Sequence, residues 1–266
     1  MSVIFKDDSI EFSHSVTPDP EVKKFDLHVH DPYEIFCFVS GQASYLVEGR
    51  KYTLSPGTLM LMRSTEAHTL VRPQGVYERY VIHFHADAAD IPPVLLAPFD
   101  AREIGERNRY RPSEFSGLDT IDFFRRMERS CTEYPHHSVV LSGLISLLCA
   151  IGEAFPQKES RGTAADDAVG REMLRFVNAN LTEDISLCDV ASVVHLSNTQ
   201  VNRVFKRLTG TTVYDYVLSK RLTMAEGLIE GGEGAMEASR RCGFKDYSSF
   251  YRLYKKRKGE IGGHRS

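Results

Sequence analysis

The stretch Leu187–Gly210 constrains the fold more than any other part of the chain, because it predicts two short helices joined by a tight turn. Ser197 can cap the second helix, and Gly210 can end it. Apolar residues with a helical period form the inner faces, namely Leu187, Val190, Ala191 and Val194, then Val201, Val204, Phe205 and Leu208. The second helix therefore keeps a polar, basic face outward. This pattern is typical of a helix-turn-helix that enters a DNA major groove, although an ordinary surface helix hairpin shares it.

A second segment repeats this pattern nearer the end of the chain. The segments VHLSNTQVNRVFKRLTG and RCGFKDYSSFYRLYKKRKG share the order hydrophobe, turn, polar, aromatic, basic. A helix over Tyr214–Ile229 is predicted between them, with Tyr214 among its core residues, and helices over Ala235–Cys242 and Asp246–Lys258 are predicted in the second copy. One polar helix is common, but two in matching frames indicate a double helix-turn-helix.

Charge is distributed unevenly along the chain. The formal net charge is −3, yet residues 195–266 carry 14 Lys and Arg against 7 Asp and Glu, so the remainder is acidic. A basic end on an acidic body predicts a polyanion partner for that end alone.

Residues Phe25–His85 predict an antiparallel β-domain, either a small barrel or a jelly roll. Its strands are the apolar-rich runs Ile35–Val39, Ala43–Val47, Thr58–Met62 and Tyr80–Phe84. Turn residues separate these runs at Ser40-Gly41, Glu48-Gly49-Arg50, Ser55-Pro56-Gly57 and Pro73-Gln74-Gly75. The mouth of such a barrel is the expected small-ligand pocket, with Tyr33, Phe36, Phe38, Tyr45, Met60 and Met62 as candidate lining residues.

Four polar residues in this domain have a distinctive spacing. His28 and His30 are two residues apart and are expected to face the same side of a strand. With Glu34 they match the first motif of the cupin family, which HVHDPYEIFCFVSG resembles, and His68 matches the second motif, which lacks its usual Pro and second Gly. The resemblance implies that His28, His30, Glu34 and His68 either hold a divalent metal or are polar groups of an effector pocket.

The middle of the chain predicts a helical region and a linker. Prolines interrupt residues 86–112, and a helix is expected from Ser113 onward, with Phe124 (or Phe123) on its inner face. Ser138–Phe155 is apolar around most of its circumference, so it must be buried, either over the barrel or, as we favour, in a dimer interface. The segment QKESRGTAADDAV has no apolar period. The predicted domains are 1–112 (sensor), 113–156 (dimerisation), 157–169 (linker) and 170–266 (DNA binding).

This order of parts resembles the AraC/XylS family of transcription regulators over the whole chain. The matching residues are Ala191, Leu196-Ser197, Phe205-Lys206, Thr209-Gly210, Tyr216, Arg221-Leu222, Ala225, Cys242-Gly243-Phe244, Phe250 and Arg252. Two departures are Ala238-Ser239, where the family usually has Ile-Ala, and the end GEIGGHR, which lacks the usual Pro and Tyr.

The resemblance implies a two-domain fold: an all-β cupin-like barrel with following helices, then an all-α double helix-turn-helix. It implies a regulator that binds double-stranded DNA sequence-specifically and responds to a small molecule, such as a sugar or related metabolite. Base contacts are implied for Thr199, Asn202, Arg203, Tyr247, Ser248, Ser249 and Arg252, and phosphate contacts for Lys206, Arg207, Lys255 and Lys256. The resemblance also implies a homodimer that requires no cofactor. If the protein activates transcription, RNA polymerase is an expected partner.

Two other functions remain open: a metal-dependent cupin enzyme with an appended DNA-binding domain, and an architectural DNA binder. We predict that the protein is not an enzyme and that it is cytoplasmic, with no membrane partner. The composition is 42% apolar and 26% charged, and we expect no stretch to reach the roughly 18–20 apolar residues of a membrane helix. The five scattered cysteines have no CxxC spacing and predict mostly buried free thiols.

Overall fold

The computed structural model describes residues 2–18, 28–87, 89–156 and 168–263. The chain divides into two compact units. The first comprises Met1–Asp26 and Pro32–Ala164, and the second comprises Leu27–Asp31 and Ala165–Ser266. The first unit is built on an antiparallel sheet and the second is helical, so the predicted fold class is confirmed.

Seven strands form the sheet of the first unit. They are β1 (Ser2–Lys6), β2 (Ile10–Thr17), β3 (Tyr33–Val47), β4 (Arg50–Thr53), β5 (Leu59–Met62), β6 (His68–Phe84) and β7 (Arg109–Tyr110). Their order is β1-β2-β6-β3-β5-β7, with β4 paired to β3 off this path, and every pair is antiparallel. The sheet therefore begins at Ser2, well before the predicted start at Phe25. His28 forms only an isolated bridge, so the expected strand over His28 and His30 is wrong.

Two of the four predicted turns are not turns. Strand β3 continues through Ser40-Gly41, and β6 continues through Pro73-Gln74-Gly75. The pairing register between the two strands shifts between Phe38 and Ser44 of β3. Gly41 makes the bend possible, because its φ is +110° and an added Cβ would lie 2.7 Å from the Val76 carbonyl oxygen. By contrast, Glu48 and Gly49 both have positive φ, as a tight two-residue hairpin turn between β3 and β4 requires.

Among the described residues of the first unit there are three α-helices: α1 (Ala97–Asp100), α2 (Thr120–Glu133) and α3 (His137–Ala154). The expected cap at Ser113 is wrong, because Asp119 caps α2 by accepting a hydrogen bond from the backbone nitrogen of Asp122 at 3.0 Å. Phe124 rather than Phe123 is the fully buried member of the pair. The predicted irregular segment 86–112 contains α1, β7 and short 3-10 turns.

Helix α3 is long and apolar enough to cross a membrane by length and composition alone, with a mean hydropathy of 1.6. The expectation that no stretch approaches such a span is therefore wrong. Five of its apolar side chains are nevertheless buried within the first unit, namely Val140, Leu144, Leu147, Leu148 and Ile151. These residues pack in a core shared with α2 and one face of the sheet, so their burial does not require a second copy of the chain.

The sheet has apolar residues on both faces. Ile35, Cys37 and Ile82 lie on the face that packs against α2 and α3. The opposite face, which we call the inner face, carries a second core of Phe36, Phe38, Ala43, Tyr45, Val47, Tyr52, Leu54, Met60, Met62, Tyr77 and Val81. Most residues predicted to line the barrel belong to this inner core, because adjacent residues of a strand face opposite sides. Tyr33 is the exception and packs on the helix-covered face.

In the part of the chain that the structure describes, six helices form the second unit: α4 (Ala168–Ala179), α5 (Leu187–Val193), α6 (Asn198–Thr209), α7 (Val213–Glu230), α8 (Ala235–Arg241) and α9 (Tyr247–Gly263). Both predicted helix pairs, α5–α6 and α8–α9, are confirmed, although α9 ends at Gly263 and its predicted end at Lys258 is wrong. Tyr214 is 72% exposed, so its predicted place in the core is wrong, and Tyr216 is buried instead. Residues 157–167 of the predicted linker lie outside the described residues, and 168–169 already belong to α4.

All five cysteines are free thiols, as predicted. Cys37, Cys131 and Cys242 are buried. Cys149 and Cys188 are exposed, so the expectation of buried thiols is wrong for these two.

Candidate DNA-binding face and effector site

Helix α6 begins and ends where its sequence predicts. Ser197 forms a reciprocal capping box with Gln200, whose side-chain oxygen accepts from the Ser197 backbone nitrogen at 3.0 Å. Gly210 ends the helix in the left-handed conformation, with φ of +81°. Thr199, Arg203, Lys206 and Arg207 are exposed and Asn202 is half-buried. The buried Val201 and Phe205 on the other side leave the predicted groove-reading face accessible.

Helix α9 presents a similar face in the second motif. The Asp246 carboxylate accepts from the backbone nitrogens of Ser248 at 3.3 Å and Ser249 at 2.8 Å, which caps the helix. These hydrogen bonds, first from Ser249, lower the pKa of Asp246. The predicted contact residues are exposed (Ser248, Arg252, Lys255 and Lys256) or half-buried (Tyr247 and Ser249). Phe250 is fully buried and anchors the helix in its core.

Arg221 of α7 links the two motifs. Its guanidinium donates to the carbonyl oxygens of Leu181 at 2.6 Å and Glu183, which lie between α4 and α5, and of Gly243 at 2.7 Å, which lies in the α8–α9 turn. Desolvation lowers the pKa of Arg221. One side chain thereby fixes a segment before the first motif to the turn of the second. The sequence pattern marks this arginine but does not reveal its three acceptors.

In the first unit, two of the four cupin-like positions come together on the inner face. Glu34 and His68 are both buried, and the Nε2 atom of His68 lies 3.2 Å from Oε2 of Glu34. Tyr45 donates to Oε1 of Glu34 at 3.0 Å. His28 and His30 lie in the segment Leu27–Asp31, which groups with the second unit, and their rings are 6.2 Å apart.

The charges of this pair follow from its hydrogen bonds. The Nδ1 atom of His68 lies 2.7 Å from the carbonyl oxygen of Glu66, an acceptor, while Nε2 faces the Glu34 carboxylate. Burial opposes a charged imidazole, but Glu34 and the two hydrogen bonds outweigh it and raise the pKa of His68. Burial and Glu34 likewise raise the pKa of Tyr45, which keeps its hydroxyl as a donor.

Two inner-face residues were missed by the sequence reasoning. The Nε2 atom of His83 lies 3.1 Å from Oε2 of Glu34, and Arg79 lies on the same strand. Both alternate along β6 with the inner-core residues Tyr77 and Val81, a period-two signal that was available in the sequence. Arg79 falls outside the predicted strand, which begins only at Tyr80, whereas His83 lies within it and its partner Glu34 is set by the pairing of β3 with β6.

The residues of the first unit give partial support for a metal. A His68 imidazole that donates from Nδ1 to a carbonyl could offer Nε2 to a metal beside Glu34. The other two expected ligands, His28 and His30, belong to the segment that groups with the second unit. The first unit alone therefore provides two of the four, and we route no step of the function through a metal.

Comparison with known proteins identifies both units. Residues 190–261 match the family described as a helix-turn-helix domain, and residues 18–91 match the AraC-like ligand binding domain. The HTH-type transcriptional activator RhaS of Enterobacter sp. (strain 638) is 24% identical over 267 residues, covering 96% of this chain and 94% of its own. The uncharacterized HTH-type transcriptional regulator YfiF of Bacillus subtilis (strain 168) is 23% identical, covering 77% and 67%.

Similar solved structures are more distant. An unsaturated fatty acid-bound ToxT from Vibrio cholerae strain SCE256 aligns over 94% of this chain and 92% of its own, at 14% identity and a TM-score of 0.41. The DMSP lyase DddQ from Ruegeria pomeroyi DSS-3 aligns over 30% of this chain and 40% of its own, at 22% identity and a TM-score of 0.27.

The helix-turn-helix and ligand-binding domains together define a DNA-binding transcription regulator that responds to a small-molecule effector. The order of the two domains, with the ligand-binding domain first, agrees with the order of sheet and helices in the fold. The chain belongs to the AraC/XylS family.

Proposed function

We propose that α6 and α9 read base edges in successive major grooves of double-stranded DNA. Thr199, Asn202 and Arg203 would make the contacts of the first motif. Those of the second would come from Tyr247, Ser248, Ser249 and Arg252. Arginine pairs bidentately with guanine and asparagine with adenine, and each good pair discriminates by about 1–3 kcal/mol. The observation that carries this proposal is the exposed or half-exposed position of all seven side chains on two capped helices.

The basic residues beside these positions have a different role. We assign Lys206, Arg207, Lys255 and Lys256 to phosphate contacts, because all four are exposed cations beside the proposed base-reading residues. Phosphate contacts strengthen binding to every sequence and make it depend on salt. Their loss would therefore weaken specific and non-specific binding alike.

The test is a selection of bound sequences from a random DNA library, followed by titration of the selected site and of random DNA. We expect Arg203→Ala to weaken binding to the selected site by tenfold or more and to change random-DNA binding much less. Arg175→Ala is the matched control, because Arg175 is an exposed arginine of α4, outside both motifs. An equal loss on both DNAs for Arg203→Ala would refute its base-reading role.

We further propose that the protein acts as a homodimer. The family resemblance supports this, and α3 offers an exposed strip of small residues (Ser142, Ser146 and Cys149) that would allow close helix approach. Most of the apolar residues that first suggested this interface are buried inside the unit, while Leu141 and Ile145 are partly buried, so we place the interface at the exposed strip. Light scattering would measure the mass, and Ser146→Arg should reduce a dimer to a monomer if the strip is the interface.

The effector and the regulatory outcome complete the proposal. A sugar or related metabolite is the proposed effector class, and the inner face of the sheet, with Glu34 and His68, is its proposed site. The RhaS relatives are named as transcriptional activators, which supports activation, with RNA polymerase as a partner. We propose that the protein is cytoplasmic and that its sensor, helical, linker and DNA-binding regions are 1–112, 113–156, 157–169 and 170–266.

We also propose that the protein needs no cofactor and catalyses no reaction. The surroundings of Glu34 support this, since its carboxylate accepts from the Tyr45 hydroxyl and lies beside the ring nitrogens of His68 and His83, which already occupy both of its oxygens. Elemental analysis of the purified protein tests the alternative of a metal-dependent cupin enzyme. Stoichiometric metal together with turnover of a substrate would overturn our proposal.

A further inference from the structure

Arg79 occupies an unusual place on the inner face of the sheet. It lies on β6 between Tyr77 and Val81, two residues of the inner core, and alternation along the strand puts all three on the same face. Its cross-strand neighbour on β3 is Phe38, which is also an inner-core residue. A permanently charged side chain therefore stands among apolar and aromatic neighbours on the inner face.

The charge of Arg79 has no anionic partner among the described residues. Its Nη1 atom donates to the Tyr77 hydroxyl at 2.7 Å, and its guanidinium lies 5.1 Å from the centre of the Tyr77 ring. Its Nε atom is buried and has no hydrogen-bond partner in the described structure. Glu34 does not neutralise it, because that carboxylate is held by Tyr45, His68 and His83.

A second arginine of the same unit shows what a satisfied buried guanidinium looks like in this fold. Arg102 binds both oxygens of Glu66 at 2.7 Å and also donates to backbone carbonyls, including that of Leu61 at 3.2 Å. Burial alone would lower the pKa of Arg102, yet Glu66 outweighs it and raises that pKa. Arg79 has no such carboxylate, although its buried Nε is likewise removed from water.

The chemistry of a guanidinium says what would complete the site. A buried N–H such as Nε of the half-buried Arg79 is costly without an acceptor, and a charge partly removed from water is stabilised by an opposite charge. With Nη1 held by Tyr77, the edge formed by Nε and Nη2 is the one left to bind a ligand. Two parallel N–H donors on such an edge match the two oxygens of a carboxylate or phosphate.

We propose that the effector of this regulator is a small anionic metabolite whose carboxylate or phosphate is bound by the Nε–Nη2 edge of Arg79. This inference rests on the proposed function and narrows its effector class from sugars in general to acidic or phosphorylated ones. Phe38 and Val81 would contact the body of the molecule. His83 lies four residues further along β6, about 13 Å at 3.3 Å per residue, and with Glu34 would meet its polar end.

The experiment uses the full-length protein and two simple probes, acetate and inorganic phosphate. Thermal unfolding is followed as each probe replaces chloride at constant ionic strength. We expect at least one probe to raise the melting temperature of the wild type at millimolar concentration, and Arg79→Gln to need at least tenfold more of it. Arg126→Gln is the matched control, because Arg126 is an exposed arginine of α2 outside the inner face.

The variants separate binding from folding. Arg79→Lys keeps the charge but loses the two-pronged edge, so it should bind more weakly than wild type while unfolding near the same temperature in chloride. A response to acetate alone indicates a carboxylate effector, and a response to phosphate alone indicates a phosphorylated one. Equal responses of the wild type, Arg79→Gln and Arg79→Lys, or no response in the wild type, would overturn the proposal.

DNA binding by the same samples keeps the two claims distinct. If the wild type binds its selected DNA site but shows no Arg79-dependent anion effect, the effector inference is wrong and the regulator stands. If the wild type shows no sequence preference on DNA, the proposed function fails whatever the anion result.

Discussion

Replacing Gly243 by alanine should destabilise the second helix-turn-helix more than other small substitutions in the second unit. Gly243 lies in the turn between α8 and α9 with φ of +79°, a conformation that residues with a Cβ rarely adopt. An added Cβ would lie 2.5 Å from the Thr182 carbonyl oxygen and 2.9 Å from its carbon. Both are backbone atoms, so no side-chain rotation can relieve the overlap.

The magnitude can be worked from these two effects. The left-handed conformation costs a residue with a Cβ about 1–2 kcal/mol, while the loss of glycine's freedom in the unfolded chain returns about 0.4–1 kcal/mol. The backbone overlap adds about 1–3 kcal/mol, as for other overpacked sites, because the turn must move away from Thr182. The hydrogen bond from Arg221 to the Gly243 carbonyl opposes that movement. We expect a total loss of about 2–4 kcal/mol, a large part of the 5–15 kcal/mol typical of a domain.

Calorimetry of the full-length protein should show this as a lower melting temperature of one transition, with the other unchanged. Gly234→Ala is the control, because Gly234 has φ of −64° and an added Cβ meets nothing within 4 Å, so its effect should stay below about 1 kcal/mol. His195 holds the equivalent turn of the first motif at φ of +54°, so His195→Gly should be neutral or slightly stabilising. A wild-type melting profile for Gly243→Ala would refute the argument.

Three further predictions concern the rest of the molecule. Glu66→Gln leaves the fully buried Arg102 without its anion and should cost the first unit about 3–5 kcal/mol in urea unfolding, whereas a loss below 1 kcal/mol would contradict the buried pair. Partial burial favours a higher pKa for Asp7, but its hydrogen bonds with His137, Ile10 and Ser9 outweigh this effect, and the net result is a pKa of about 2. The ionised Asp7 carboxylate therefore contributes stability above pH 3.8, and this contribution is lost as the pH falls towards 2. Asp7→Asn should make the free energy of unfolding depend less on pH between these values. Cys149 and Cys188 should react quickly with a thiol reagent in the native protein, and the other three cysteines only after unfolding. Rapid reaction of all five thiols in the native protein would contradict the burial of Cys37, Cys131 and Cys242.

Much of the DNA-binding half could be predicted from local signals. The caps Ser197 and Gly210, the helical period of Val201 and Phe205, and the repeat of the whole motif are properties of neighbouring residues. The family comparisons agree with this interpretation. The prediction that Tyr214 is buried is wrong, because α7 is buried on several sides and the helical period alone does not show which face of such a helix stays exposed.

The sensor half was harder to predict because its site depends on pairing between distant strands. Glu34 and His68 were found through the cupin-like spacing, but His83 meets Glu34 only because β3 and β6 pair in register across 49 positions of sequence. The same pairing carries β6 straight through the Pro73–Gly75 signal, which a local argument takes for a turn. Arg79 was missed for that reason.

Local sequence signals were enough to predict the order of the two units, the positions of the helices in the DNA-binding motifs and the polar character of their outward faces, because capping, period and turn chemistry act over a few residues. Which charges are satisfied depends instead on the tertiary structure. Arg102 and Arg79 are the same residue type in the same unit, and one meets a buried carboxylate while the other meets a tyrosine. That difference is set by which strands and loops come together, since the partner of a buried charge is chosen by space and not by position along the chain.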